Sequence, residues 1–174
     1  MRLLPAHAIT LWNDHRLRRQ QEVIELFEKY KVLTERELHA RYEIMLETYN
    51  KVVNIEGQLM VLIANRYILP AALDYQRQVA ASVAAVKSAG AKSVEGKKTL
   101  DKLTKLVDKF KQSSDKLEKE LAHEGGSSEK HAKHFRDKVV PGMAALRELG
   151  DELENIMPHE TWPLATYREM LFIK

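Results

Sequence analysis

Apolar side chains recur at steps of three and four residues along most of this 174-residue chain, and this spacing limits its fold more than any other feature. That period gathers apolar residues on one face of an α-helix, whereas a half-buried strand would need strict alternation. The spacing predicts helices at about residues 16–30, 35–88, 97–123 and 129–156. The chain is therefore predicted to be all-α.

The second predicted helix is the longest. Thr34 and Glu37 have capping-box spacing at its start, and Val32 and Leu38 are placed to form a hydrophobic staple. Pro70 interrupts its pattern, and an internal proline removes a hydrogen bond and bends the axis, so we expect one long kinked helix of about 80 Å when straight. The residues predicted to face inward are Leu38, Tyr42, Met45, Tyr49, Val52, Leu59 and Ile63.

Short connectors separate the remaining helices. Gly90–Gly96 and Gly125–Ser128 have the composition of turns, and Pro141 is expected to bend or break the last helix. Short turns between helices are typical of antiparallel neighbours. The predicted fold class is thus an elongated antiparallel helical bundle with one long kinked helix and an aromatic C-terminal tail, forming a single domain over residues 1–174. The inward residues of the last two helices are predicted to be Leu100, Leu103, Val107, Phe110, Leu117, Leu121, Ala132, Phe135, Val139, Met143, Leu146, Leu149, Leu153 and Ile156.

The two ends of the chain lack a long helical repeat. Residues 1–14 are expected to be an irregular lead-in containing Pro5 and Trp12, too short and broken for a signal peptide. Residues 157–174 combine two prolines with aromatic side chains. A segment this apolar is expected to dock on another surface.

Composition restricts the function classes. The chain has no cysteine, which excludes disulfides, thiolate nucleophiles and cysteine-based zinc sites. It has no apolar run long enough to span a membrane. Its 28 basic and 25 acidic residues are interleaved, giving a formal charge of only +3, so neither a nucleic acid nor a membrane is an expected partner. We expect a cytoplasmic protein.

Three groups of titratable residues are candidates for a metal-binding or catalytic site. His131 and His134 lie three apart on a helix, but the lysines beside them oppose a cation, which favours solvated surface histidines. Glu120 and His123 have Glu-x-x-His spacing, but a di-iron site needs a second copy that this sequence lacks. Glu56 lies on the apolar seam, where a buried carboxylate needs a partner. Both a catalytic carboxylate and a structural ion pair or hydrogen bond fit it, and the structural interpretation is favoured.

The motifs of common enzyme classes are missing. The sequence contains no glycine-rich phosphate loop, no Gly-x-Ser-x-Gly and no His-Glu-x-x-His. We therefore predict no catalytic, cofactor-binding or metal-binding residue in this chain. Its predicted role is to pack against and organise other protein.

Several uncommon strings, in order, resemble the C-terminal region of type III glutamine synthetases. They are Glu25–Ile44, Leu46–Tyr49, Asn54–Glu56, Ile68–Gln76 and Trp162–Phe172. The resemblance covers nearly the whole chain and is weakest between about residues 90 and 130. It implies a helical domain appended to a larger enzyme.

The resemblance also implies a parent activity. Type III enzymes are cytosolic ligases that make glutamine from glutamate, ammonia and ATP with Mg or Mn, and they assemble as dodecamers. Their metal-ligating glutamates and nucleotide-binding segments have no counterpart in this chain. The resemblance thus implies a structural and assembly domain whose partners are the catalytic domain and neighbouring subunits. The alternative is an independent helical protein-interaction module, and a metal-binding bundle is a third hypothesis.

Overall fold

The computed structural model describes residues 16–123, 126–165 and 167–171, and every regular element in those ranges is helical. The predicted all-α class is confirmed. No helix in these ranges has the length and apolar character needed to cross a bilayer. The α-helices are α1 (Arg16–Lys29), α2 (Glu35–Ile63), α3 (Leu69–Ser88), α4 (Val94–Leu121), α5 (Ser128–His134), α6 (Val140–Ile156) and α7 (Tyr167–Leu171). Two π-helices, π1 (Ala64–Ile68) and π2 (Phe135–Val139), and a 3-10 helix (His159–Thr161) complete the order.

The chain divides into two compact units. The first comprises the described residues up to Val52, together with Gly126–Arg136. The second comprises Val53–His123 and the described residues from Asp137 onward. The second unit contains most of the buried apolar side chains, so its helices form the main core.

Helix α4 is the centre of the second unit, because it packs along both α3 and α6. Its side chains Leu103, Phe110 and Leu117 are at most 1% exposed, as are Val139 and Leu153 from the helices opposite. Each large apolar side chain buried in this way contributes about 1.5–3 kcal/mol. These five residues were all predicted to face inward, and the structure confirms them.

The chain stays helical through both internal prolines. Pro70 and Pro141 each lie two residues after a π-helix, in the first turn of α3 and α6. A proline ring clashes with the carbonyl four residues earlier, and those carbonyls belong to Arg66 and Asp137, at the middle of π1 and π2. The wider π turn accommodates the ring. Pro141 therefore does not break its helix, while the kink at Pro70 stays a prediction.

The inward face predicted for α2 was wrong in its register. Met45, Val52 and Leu59 are 70%, 41% and 53% exposed. A different set of residues, with steps mostly of three and four, is buried: Leu46, Val53, Gly57, Val61 and Ala64. Several of these are small, and a Cβ added at Gly57 would lie 2.7 Å from Leu121 Cδ2. Close approach to α4 therefore selects the face with the smaller side chains.

The bounds of α1 agree with the prediction to within one residue, whereas its cap was not predicted and the start of α4 differs. The end of α1 uses Lys31 in a left-handed conformation, φ 53°. The N–H groups of Lys31 and Val32 donate to the carbonyls of Glu28 and Phe27, both at 3.0 Å, which is the Schellman pattern without its usual glycine. Val32 is 61% exposed, and the staple between Val32 and Leu38 stays a prediction. Helix α4 begins at Val94, so Gly96 belongs to the helix and not to the connector.

The C-terminal segment is partly packed. Met157 is buried and Trp162 is half-buried, whereas Met170 and Leu171 are exposed. Docking of this tail therefore stays a prediction. Other residues singled out in the sequence lie outside the described part, namely Pro5, Trp12, Phe172 and the side chain of Tyr167.

The capping box at the start of α2 is confirmed. Glu37 Oε2 accepts from the Thr34 backbone N–H and from its hydroxyl, both at 2.8 Å, and the Glu37 N–H donates to Thr34 Oγ1 at 3.4 Å. These hydrogen bonds favour the ionised carboxylate. The backbone hydrogen bond, above all, lowers the pKa of Glu37 below its ordinary value.

This pKa shift gives a pH-dependent prediction. Because the folded-state pKa of Glu37 is depressed, the stabilisation is present above the unfolded value of 4.5 and is lost as pH falls through the folded value. We expect a carboxyl NMR titration of Glu37 with a midpoint below 4.5. In Thr34→Ala the side-chain hydrogen bond is gone, and the midpoint should rise. An unchanged midpoint in this variant would show that the hydroxyl plays no part in the shift.

The core assignment is tested by truncating a leucine at two depths. Leu117→Ala removes a fully buried side chain of α4 and should lower the free energy of unfolding by about 2–5 kcal/mol. Leu73→Ala, at a position 48% exposed, is the matched control and should cost much less. Urea denaturation measures both. Equal losses would contradict a core centred on α4.

Candidate functional site

Glu56 is half-buried beside the point where α2 meets α4. Its neighbour Gly57 lies against Leu121 of α4. No described residue forms a hydrogen bond or ion pair with the Glu56 carboxylate. The expected partner is therefore not among the described residues, and nothing in this arrangement gives Glu56 a role as acid, base or ligand.

The predicted histidine pair lies against an aromatic ring. The rings of His131 and His134 have centroids 6.0 Å and 6.1 Å from that of Phe135. Both histidines are half-buried, so they are less solvated than the surface histidines that the sequence predicted. A buried aromatic ring between them provides packing and no ligand. The arrangement is that of a helix end covering an apolar residue.

Glu120 lies in the last turn of α4, and His123 lies two residues beyond the end of that helix. Glu120 is half-buried and His123 is exposed. Across the described ranges, no group of three or more His, Cys, Asp or Glu side chains is arranged to hold a metal ion. The side chains present there do not fit the Mg or Mn that the family resemblance implies.

Buried polar groups in the second unit connect helices. The hydroxyl of Ser114, fully buried on α4, lies 3.4 Å from Asn65 Oδ1 of π1. Gln76 Nε2 of α3 donates to Thr104 Oγ1 of α4 at 2.7 Å. A buried polar group is costly unless it is hydrogen-bonded. These two contacts therefore fix how π1 and α3 sit along α4, which is a structural role.

The first unit has one incompletely satisfied amide. Asn50 Nδ2 donates to the Ser128 carbonyl at 2.8 Å, which ties α2 to the start of α5. Its Oδ1 is buried without a partner. The hydrogen bond made by Nδ2 accounts for the position of this side chain.

A groove of about 530 Å³ runs between α3 and α4. The Gln76–Thr104 hydrogen bond crosses it, and Arg77 at its edge is held by Asp74 at 2.7 Å. That ion pair lowers the pKa of Asp74. The lining contains no histidine or cysteine to activate a nucleophile. The lining residues are Leu73, Gln76, Arg77, Ala80, Leu100, Asp101, Thr104 and Lys105.

The most distinctive surface of the second unit is the outer face of α2, which we define as Ile55, Leu59 and Leu62. These side chains are 63%, 53% and 42% exposed and follow steps of four and three. At 3.6 residues per turn they lie roughly opposite the buried Val53 and Ala64. An apolar stripe left in solvent marks a protein contact site. The candidate functional site is therefore this surface and not a catalytic cleft.

Of this surface, the sequence pattern predicted only Leu59, and it placed Leu59 in the core; Ile55 and Leu62 were not predicted. The signal that separates the two faces is residue size, since the buried face carries Gly57 and Ala64. Periodicity alone cannot rank two apolar faces of one helix.

The chain is similar to a known protein family. Residues 8–87 match the family model described as "Glutamine synthetase C-terminal domain". This range includes α1, α2 and π1 and most of α3, and therefore the outer face of α2. The resemblance stated from the sequence strings is thereby confirmed.

Curated relatives extend the similarity along the chain. A type-3 glutamine synthetase of Dictyostelium discoideum is 26% identical over 163 residues, covering 87% of this chain and 22% of its own length. Glutamine synthetases of Butyrivibrio fibrisolvens and Bacteroides fragilis are each 28% identical, covering 87% and 83% of this chain. The chain spans only about a fifth of the length of these relatives.

Proposed function

We propose that this chain, which carries a glutamine synthetase C-terminal domain at residues 8–87, is a structural and assembly domain of a type III glutamine synthetase. The parent reaction is the ATP-dependent ligation of ammonia to glutamate. In this proposal the domain contributes packing surfaces and no catalytic residue. Its partners are the catalytic domain of the same polypeptide and neighbouring subunits, in the dodecamer of that family, and its location is the cytoplasm.

The observation that carries the proposal is the outer face of α2. Ile55, Leu59 and Leu62 are exposed although they lie in the segment that matches the family domain. The same helix already has a buried face that completes the core of the second unit. A second apolar face adds nothing to that core, so its value lies in contact with further protein.

In this proposal, the described residues bind neither the ATP nor the Mg or Mn of the parent enzyme. Those residues include no group suited to a metal ion. Divalent cations bind oxygen ligands such as carboxylates grouped in space. In the proposed division of labour, ATP and metal bind elsewhere in the parent polypeptide.

A chimera tests the assembly role. Deleting the aligned segment from the Bacteroides fragilis enzyme should lower its assembled mass in light scattering and its glutamine synthesis. Inserting this chain in place of that segment should restore both more fully than a flexible linker of equal length, because only a folded domain re-creates the packing surface. If the deletion variant keeps the full assembled mass and activity, the assembly role is wrong.

The non-catalytic part of the proposal has its own assay. The purified chain, supplied with glutamate, ammonia, ATP and Mg, should form no glutamine above the protein-free control. Glutamine formation that scales with chain concentration and survives repurification would overturn it. The intact Bacteroides fragilis enzyme is the positive control.

A further inference from the structure

We propose that the outer face of α2 binds the same face of a second copy of this chain, through an antiparallel two-fold contact. The inference rests on the proposed assembly role and specifies one of its partners: the equivalent domain of a neighbouring subunit. It concerns Ile55, Leu59 and Leu62, all of which lie in the second unit.

Charge is nearly absent around this face. From Val53 to Asn65, thirteen residues, Glu56 is the only charged side chain. A helix segment that is apolar on two sides is typical of the interior of a larger assembly. Lys51 and Arg66 lie one helical turn beyond the two ends of the stripe. Between them a partner rich in charge would find only Glu56, and most of its own charges would lose water without compensation. The partner surface is therefore itself apolar and neutral, as this face is.

The edge of the face is self-complementary. Asn54 and Gln58 line one side of the stripe, and Gln58 Nε2 donates to Asn54 Oδ1 at 3.3 Å. Each amide carries both donors and acceptors, so it can hydrogen-bond to an identical edge. A two-fold axis that crosses two antiparallel helices returns each edge to itself. Pairing Ile55 with Leu59 of the second copy therefore also places the two Asn54–Gln58 edges side by side.

The size of the contact sets its strength. Three half-exposed aliphatic side chains form a patch smaller than a stable specific interface needs, which is the size range of weak contacts. The isolated chain should therefore form a weak, concentration-dependent dimer. In an oligomer the same contact is reinforced, because the rest of the polypeptide raises the effective concentration of neighbouring copies.

Sedimentation velocity on the full 174-residue chain tests the inference over about 5 to about 500 µM, where mass action shifts a weak dimer. The wild-type weight-average mass should rise from one chain toward two. Leu59→Glu should remain monomeric, because each carboxylate would be buried against Ile55 of the other copy without a counter-charge. Val94→Glu removes an equally exposed apolar residue on α4 and should dimerise as the wild type does. Circular dichroism confirms that both variants are folded.

Cross-linking tests the geometry without disturbing the stripe. The chain has no cysteine, so Gln58→Cys introduces a single thiol at the proposed two-fold edge. A short bismaleimide should link two copies of this variant at least about tenfold more than it links Gln112→Cys, an exposed position on α4.

Three results would overturn the inference: a monomeric wild type over the whole range, a Leu59→Glu variant that dimerises normally, or equal cross-linking at the two cysteines. None of them bears on the assembly role itself, which the chimera tests separately. Conversely, if the chimera failed but the isolated chain dimerised, the two-fold contact would stand and the proposed role in a glutamine synthetase would be wrong.

Discussion

Burial of the apolar face of α4 is the interaction on which the main core depends. Leu103, Phe110 and Leu117 are almost completely removed from solvent, and α3 and α6 cover them from two sides. The hydrogen bonds that Ser114 and Thr104 of α4 make with Asn65 and Gln76 then fix the position of π1 and α3 along this helix. Dispersion and desolvation stabilise the core. The two polar pairs determine which residues of π1 and α3 lie beside which residues of α4.

The same core explains why two helices tolerate proline. Each proline follows a π turn, and each turn ends in a buried aliphatic residue, Ile68 or Val139. A π turn has i→i+5 hydrogen bonds and is wider than an α turn. It therefore leaves room for the proline ring that follows the carbonyl of Arg66 or Asp137 by four residues.

The sequence predicted the fold class and the inward faces of the last helices, because α4 and α6 each have one apolar face that dominates. It failed on α2, since that helix has two apolar faces and the buried one carries Gly57 and Ala64, which contribute little hydrophobic signal. It placed the end of α1 within one residue but did not predict the cap there, because Lys31 occupies the left-handed position where glycine is usual.

The candidate site was only partly predictable for the same reason. Glu56 and the histidine pair were candidates because of their side-chain chemistry alone. In the described part of the chain, neither belongs to a group of three or more residues that could hold a metal ion. Of the three apolar residues on the outer face of α2, the sequence pattern singled out only Leu59, as a core residue, and its exposure in the folded chain places it outside the core. A contact surface is defined by what remains uncovered, which depends on tertiary packing.

We propose that the outer face of α2 contacts other protein in a glutamine synthetase assembly. The most direct test is a cryo-electron microscopy structure of the native full-length gene product in its assembled state. We expect Ile55, Leu59 and Leu62 to be buried against protein there, with the α4 core unchanged. A fully assembled enzyme in which these three side chains still face solvent would contradict the proposal.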